Sequence, residues 1–539
     1  MIRKNLRWMA SLLMATNLAV FSPSGLLAAP NGRDRGKGGD DPAADYDTAT
    51  PIKHLVVIFQ ENVSFDHYFA TYPNALNPQG ELKFKAKAKT PSVNGITEGV
   101  MALNQNTVKP FRLDPGQNYT CSMNHGYKAE QQAYDSGLMD MFPEFAAHSC
   151  NSSYPSVQPL GAGIVMGYYD GNTVTALWNY AQNFAMDDNH YGTNFGPSTV
   201  GAVNVISGMT GGVDASVSKS NTASDVIAGS IVGDPDPAYD DCSGSDVVGM
   251  NSTNENVGNL LSTRGITWGW FEGGFTPSGV SGTKAVCGNT TIRLDGSAIK
   301  AYVPHHEPFQ YYASTANPHH VAPKNLNEVG HDGQANHQYD LTWFMQAAMH
   351  GKLPAVSYLK APAAQDGHPG NSSPLDEQVF IAQTINFLQS LPTWDSTAVI
   401  ITYDDSDGWY DHQMGPILNQ SVSGDDSLNG TGSCGIAGNS LEGVQGRCGY
   451  GPRIPFLVIS PYAKENFVDH TVIDQSSVVR FIEDNWGLPR IGNGSFDAFA
   501  GPILNMFNFK NKRDDVVLLD PSTGQVVNTK GDKDGGKDY

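Results

Sequence analysis

The chain has 539 residues, with 33 Lys+Arg against 54 Asp+Glu and a formal net charge of −21. Only 16% of it is charged while 40% is apolar and 10% aromatic, so it buries a large core and is no disordered acidic polymer. An acidic surface repels polyanions, and no basic–aromatic pattern occurs, which excludes a nucleic-acid partner. The 58 glycines and 32 prolines mark a fold rich in loops.

The N-terminus reads as an export signal. Arg3, Lys4 and Arg7 precede an apolar run over 8–21 that is too short and too interrupted to span a bilayer. Small residues at Ala28 and Ala29 close it, so 1–29 is expected to be a signal peptide and the protein to be periplasmic or secreted. No later stretch is apolar over 18 residues, so no integral membrane span is expected. Residues 30–50 are polar and glycine-rich, the composition of a flexible linker, and 521–539 read as a flexible tail. The folded unit is expected over 51–520, with a loop-rich cap or insertion at about 210–300.

Six cysteines in an exported chain imply three disulfides. Pairing between sequence neighbours is expected: Cys121–Cys150, Cys242–Cys287 and Cys434–Cys448, each bracketing a Gly/Ser/Asn-rich insertion.

Residues 53–60 (Lys-His-Leu-Val-Val-Ile-Phe-Gln) form a nearly continuous apolar run, the pattern of a strand buried on both faces. Ala355–Leu359, Ala398–Tyr403 and Pro455–Ser460 repeat it, and helical patterns at about 341–350, 375–390 and 475–486 alternate with them. That alternation predicts an α/β fold with a central, mostly parallel sheet sandwiched by helices.

Two of the strands run straight into acids, the first into Glu61-Asn62 and the other into Asp404-Asp405. Ligands of open α/β sheets gather beyond the carboxyl ends of strands, and oxygen side chains converging there suit a hard divalent cation. Each pair alone also reads as a strand-end turn; the two together favour the cation site. Ser198, in Gly196-Pro197-Ser198, precedes a segment able to form a helix up to Gly208. A serine there meets free amides and a positive dipole end that favour a phosphoryl anion. No histidine dyad lies nearby, so activation by a metal is the better reading, although an N-cap serine is the commoner occurrence. Among the 15 histidines, His125, the pair His305-His306, and His368 in Asp366-Gly367-His368-Pro369-Gly370 are candidate phosphate ligands.

Taken together, these strings resemble the bacterial acid phosphatase/phospholipase C superfamily. Glu61-Asn62-Val63-Ser64-Phe65-Asp66-His67-Tyr68-Phe69 resembles its opening motif. Gly196-Pro197-Ser198, Pro304-His305-His306, Asp366–Gly370 and Thr402-Tyr403-Asp404-Asp405-Ser406-Asp407-Gly408 follow in the family's order, over about 52–505. The resemblance implies an alkaline-phosphatase-like α/β domain and a secreted, metal-assisted phosphoester hydrolase with a phosphoserine intermediate. Ser198 would be the nucleophile. Glu61, Asn62, Ser198, Asp404 and Asp405 would hold a divalent metal ion of unspecified identity, and Asn62, His125, His305, His306 and His368 would line the phosphate pocket. Substrates would be small phosphoesters or phospholipid headgroups. Serine at the nucleophile position and a chain ending soon after the catalytic unit look like the shorter acid-phosphatase branch. A second metal would need further ligands, for which His412 is the candidate. The rival reading is a secreted glycan- or surface-binding protein with a vestigial site.

Overall fold

An eight-stranded sheet organises the computed structural model, which describes residues 41–148, 150, 161–219, 225–436 and 440–530. Its strands in chain order are β1 (His54–Gln60), β2 (Ala185–Asp187), β3 (Trp268–Glu272), β4 (Gln338–Asp340), β5 (Val356–Lys360), β6 (Thr397–Tyr403), β7 (Phe456–Ile459) and β8 (Phe467–Asp469). They lie side by side as β4-β3-β5-β1-β6-β7-β2-β8. β7 runs against both of its neighbours, and every other pair is parallel. The mostly parallel α/β sheet is therefore as the sequence predicts.

β1 and β6 are buried at every position. Strands without a wet face require cover on both sides of the sheet. Helices provide it: α1 (Tyr127–Tyr134), α2 (Thr175–Asn183), α3 (Ser198–Ser207), α4 (Leu341–Met349), α5 (Pro374–Ser390) and α6 (Ser476–Trp486). α3 packs on α6, and α2 packs on α5. The three disulfides join Cys121–Cys150, Cys242–Cys287 and Cys434–Cys448, the expected pairs. Among the described residues no helix is long and apolar enough to cross a membrane.

Three sequence expectations differ from the structure. Residues 41–50, expected in the linker, are folded: Ala43 is fully buried, and Tyr46 and Thr50 bond to Gly265 and Asn485. Residues 521–530, expected in the tail, carry the second strand of a hairpin in which Val526–Lys530 pairs with Val516–Leu519. Apolar runs on either side of Pro-Ser-Thr-Gly make that hairpin, and Asn386 and Gln389 of α5 clamp its first strand. The stretch 210–300 is not all cap, because Trp268–Glu272 is a strand of the main sheet, next to its edge, stabilised by its aromatic run. The expected signal peptide, residues 30–40 of the linker and residues 531–539 lie outside the described residues.

Candidate active site

β5, β1 and β6 are adjacent and parallel, so their carboxyl ends share one edge of the sheet. β1 pairs Gln60 with Tyr403, which puts Glu61-Asn62 beside Asp404-Asp405. Backbone bonds lock the junction: Asp404 N donates to Gln60 O at 3.1 Å and Val63 N donates to Asp405 O at 2.8 Å. Asn62 has φ +53°, a left-handed conformation that asparagine tolerates, and its N–H donates to Asp404 Oδ1 at 2.9 Å.

Ser198 opens α3, which ends at Gly208, as its sequence predicts. Gly196 holds φ +123°, a turn that needs glycine to aim the helix start at the strand ends. Gly201 lets α3 lie against the acidic turn, since a Cβ there would fall 2.0 Å from Asp404 O. Ser198 Oγ thereby reaches Asp405 Oδ2 at 3.0 Å, Glu61 Oε2 at 3.2 Å and Asn62 Oδ1 at 3.3 Å. The helix N-terminus is less open to an anion than expected. Thr199 N–H is taken by Asp234 Oδ1 at 2.9 Å, and Val200 N–H by Pro197 O.

One hydroxyl proton cannot satisfy three acceptors. Asn62 Oδ1 also faces acceptors; turning the amide would let it donate to Asp404 Oδ1 at 3.1 Å and to Glu61 Oε2. A cation among these oxygens favours the carbonyl-inward orientation. Asp404 Oδ2 is buried with no hydrogen-bond partner. Burial and Asp404 push the Glu61 carboxyl well above the usual range, and burial does the same to Asp405. Such crowding is what a bound cation relieves. Carboxylates, an amide carbonyl and a hydroxyl suit a hard divalent ion, so Glu61, Asn62, Ser198, Asp404 and Asp405 could hold one.

The four histidines gather here but differ in charge state. His125 Nδ1 bonds to Met123 O at 2.9 Å and lies 3.2 Å from Asp407 Oδ1; its Nε2 lies 3.4 Å from Asn62 Nδ2. Burial opposes its charge, yet Asp405, Asp407, Asp234 and Glu130 raise it to about 10. His305 faces Asp236 at 3.4 Å and is raised, burial being outweighed by Asp236 and Asp234. His306 Nδ1 lies 3.2 Å from Glu61 Oε1, and burial with the Lys360 charge holds it well below the usual value. His368 packs near His125, and burial takes it down to about 4. The surrounding carboxylates thus favour the imidazolium at His125 and His305, while burial favours the neutral ring at His306 and His368.

Two participants, Lys360 and Glu130, have no motif in the sequence reading, and a third, Asp407, lies inside the Thr402–Gly408 string with no role assigned to it there. Lys360, the last residue of β5, is buried with its ammonium in contact with Glu61 Oε1 and 3.7 Å from Asp404 Oδ2. Burial opposes that charge, but Glu61, Asp404 and Asp366 outweigh it and raise its pKa. Glu130 of α1 accepts from Gly196 N at 3.0 Å and from Ser406 Oγ at 2.7 Å. Asp407 accepts from Met123 N and Ser122 Oγ, tying the His125 segment to the acidic turn. His412 is not a second-metal ligand of this site. Its ring pairs with Asp66 Oδ2 at 2.6 Å, in a network closed by Asp411 and the Arg453 guanidinium.

A cavity of about 640 Å³ opens beside His125 and Pro197, with Asp225, Asp234, Asp246 and Asp425 on its wall against Lys128.

The model of the Phosphoesterase family matches residues 52–489. The chain is 23% identical over 528 residues to the non-hemolytic phospholipase C of Pseudomonas aeruginosa, covering 95% of this chain and 64% of that protein. It is 22% identical over 486 residues to phospholipase C A of Mycobacterium tuberculosis, covering 85% of this chain and 78% of that one. The chain spans 58% to 64% of the Pseudomonas and Burkholderia relatives' length. Among solved structures, an alkaline phosphatase superfamily protein from Vibrio parahaemolyticus aligns with TM-score 0.29 and 11% identity, over 73% of this chain and 76% of that one.

Proposed function

The chain belongs to the Phosphoesterase family, and on that premise we propose that it is an exported, metal-assisted phosphoester hydrolase acting through Ser198. The observation that carries the reading is the meeting of Glu61 Oε2, Asn62 Oδ1 and Asp405 Oδ2 around one serine hydroxyl. Three disulfides fit an oxidising compartment, which supports export.

Glu61, Asn62, Ser198, Asp404 and Asp405 would hold a divalent ion, which would supply positive charge for the phosphoryl oxygens and lower the pKa of a bound hydroxyl. Ser198 Oγ attacks phosphorus in line, its proton leaving toward Asp405 Oδ2 or Glu61 Oε2, at 3.0 and 3.2 Å, as the bond from phosphorus to the leaving alcohol breaks. That proton passes to the departing alkoxide, and a water then attacks the phosphoserine, returning a proton to Ser198 Oγ as the phosphate product leaves. His125 and His305 bring positive charge to the equatorial oxygens, while His306 and His368 donate as neutral rings. The acidic cavity wall disfavours a second anion on the substrate. It suits a phosphoester whose far end is neutral or cationic, such as a zwitterionic lipid headgroup, in keeping with relatives named phospholipase C.

The test is a set of rates on p-nitrophenyl phosphate, bis(p-nitrophenyl) phosphate and phosphatidylcholine, with and without chelator, for wild type and Ser198→Ala. The expected result is chelator-sensitive turnover that Ser198→Ala abolishes. Hydrolysis surviving in Ser198→Ala overturns the nucleophile, and insensitivity to chelator overturns the metal. No turnover of any substrate by wild type returns the protein to the binding reading.

A further inference from the structure

Glu61 has two faces. Its Oε2 looks toward Ser198, with Asn62 Oδ1 and Asp405 Oδ2. Its Oε1 looks the other way, toward Lys360 and His306. On that second side the ligand atoms of Glu61, His306 and Asp366 all lie within 4.8 Å of one another, and all three residues are buried. Asp366 Oδ1 accepts from His368 N and Ser372 Oγ, but Asp366 Oδ2 is buried with no hydrogen-bond partner. By donor type this is a second cation position, with Glu61 as the bridging carboxylate.

Lys360 already serves that position. Its ammonium contacts Glu61 Oε1, the atom a second ion would need, and lies 3.7 Å from Asp404 Oδ2. The Phe59 ring centroid is 4.9 Å from Nζ on another side. The residue ends β5, whose register against β1 pairs Leu359 with Ile58, so the backbone fixes where the side chain starts. Lys360 is fully buried and does not trade places with solvent.

We propose that Lys360 is the built-in second cation of the site, so that the protein takes one exchangeable divalent ion and not two. Lys360 is a positioning residue: it holds Glu61 Oε1 and leaves Oε2 for the side facing Ser198. The inference rests on the reading of Glu61, Asn62, Ser198, Asp404 and Asp405 as a cation site, and it adds the number of ions. One fixed and one exchangeable charge keep the site assembled when the metal leaves, where a two-ion site would lose both.

The experiment counts ions and does not depend on turnover. The full chain is stripped with chelator, desalted and equilibrated with Mn²⁺, and the bound ion is counted by mass spectrometry and by electron paramagnetic resonance. Wild type is expected to hold one Mn²⁺ with the signal of an isolated ion. Lys360→Met is expected to hold two, with a spin-coupled signal, and the double variant Lys360→Met/Asp366→Asn to return to one. If Lys360→Met does not fold, Asp366→Asn alone decides: the proposal expects its count to stay at one, because Asp366 faces the lysine and not the metal. Two ions in wild type overturn the proposal, as does Lys360→Met that folds and still holds one. Loss of the ion in Asp366→Asn overturns it too. Wild type that turns over phosphoester with two ions bound sinks this inference alone, and wild type that binds none sinks the cation-site reading beneath it.

Discussion

Glu130 accepts the amide of Gly196 at 3.0 Å, two residues before the serine that opens α3. Its other oxygen accepts from Ser406 Oγ at 2.7 Å, so one buried carboxyl group clamps the Ser198 turn to the acidic turn. Neither turn is held to the other by secondary structure at this point. Glu130→Ala should cut kcat roughly 100-fold, the scale of a displacement near 1 Å at a reacting centre. Steady-state kinetics beside a thermal melt checks it, and a folded Glu130→Ala with wild-type kcat removes the clamp.

α3 touches the acidic turn at Gly201. A Cβ there meets Asp404 O at 2.0 Å and Gln475 Nε2 at 2.6 Å, and the nearer contact is backbone, which cannot swing away. Gly201→Ala should therefore cost about 1–3 kcal/mol or more as helix and turn part. The same movement carries Ser198 away from Asp405 and should weaken Mn²⁺ binding. Urea unfolding and a Mn²⁺ titration read the two effects, and an unchanged midpoint with unchanged binding would contradict the packing argument.

The Cys121–Cys150 disulfide closes a loop that contains both His125 and Glu130. Opening it with Cys121→Ala/Cys150→Ala should lower stability by about 3.6 kcal/mol, from the chain-entropy cost of a loop that length. It should also raise KM, because His125 then loses a covalent anchor four residues away and keeps its Met123, Asp407 and Asn62 contacts. Removing Cys242–Cys287, whose loop holds none of the proposed metal or phosphate ligands and only Asp246 of the cavity wall, should lower stability and change KM less. Equal KM changes in the two variants would show a global effect.

How much was legible follows from where each signal lies. Glu61-Asn62 and Asp404-Asp405 could be read because each directly follows a fully apolar run, and a parallel sheet brings such ends together. The start of α3 at Ser198 and its stop at Gly208 are local signals. Lys360 stands one residue past the apolar run Ala355–Leu359, and a lysine ending a buried strand has to find an anion. That signal was available and unused. Glu130 was not legible, and Asp407 was legible only as a member of the Thr402–Gly408 string, because their partners lie 66 and 284 residues away and depend on which loops meet. The 516–530 hairpin was missed because a charged, glycine-rich terminus outweighed two short apolar runs before it.

Away from the site, α6 carries a pH-dependent element of the fold. Glu483 is buried and bonds to Arg490 at 2.7 Å. Burial, and the Asp497 carboxyl group beside it, nonetheless push it up to about 9. In the unfolded chain it titrates near the ordinary value of about 4.3. The folded state therefore binds a proton that the unfolded state lacks between those values, and stability is lost as pH rises through that window. Glu483→Gln has no proton to lose, and its amide can still donate to Asp497. Urea midpoints measured from pH 5 to pH 9 should fall more steeply in wild type than in Glu483→Gln. The variant should be the more stable of the two at pH 9. Parallel curves would mean that Arg490 keeps Glu483 ionised throughout, and the buried proton would be ruled out.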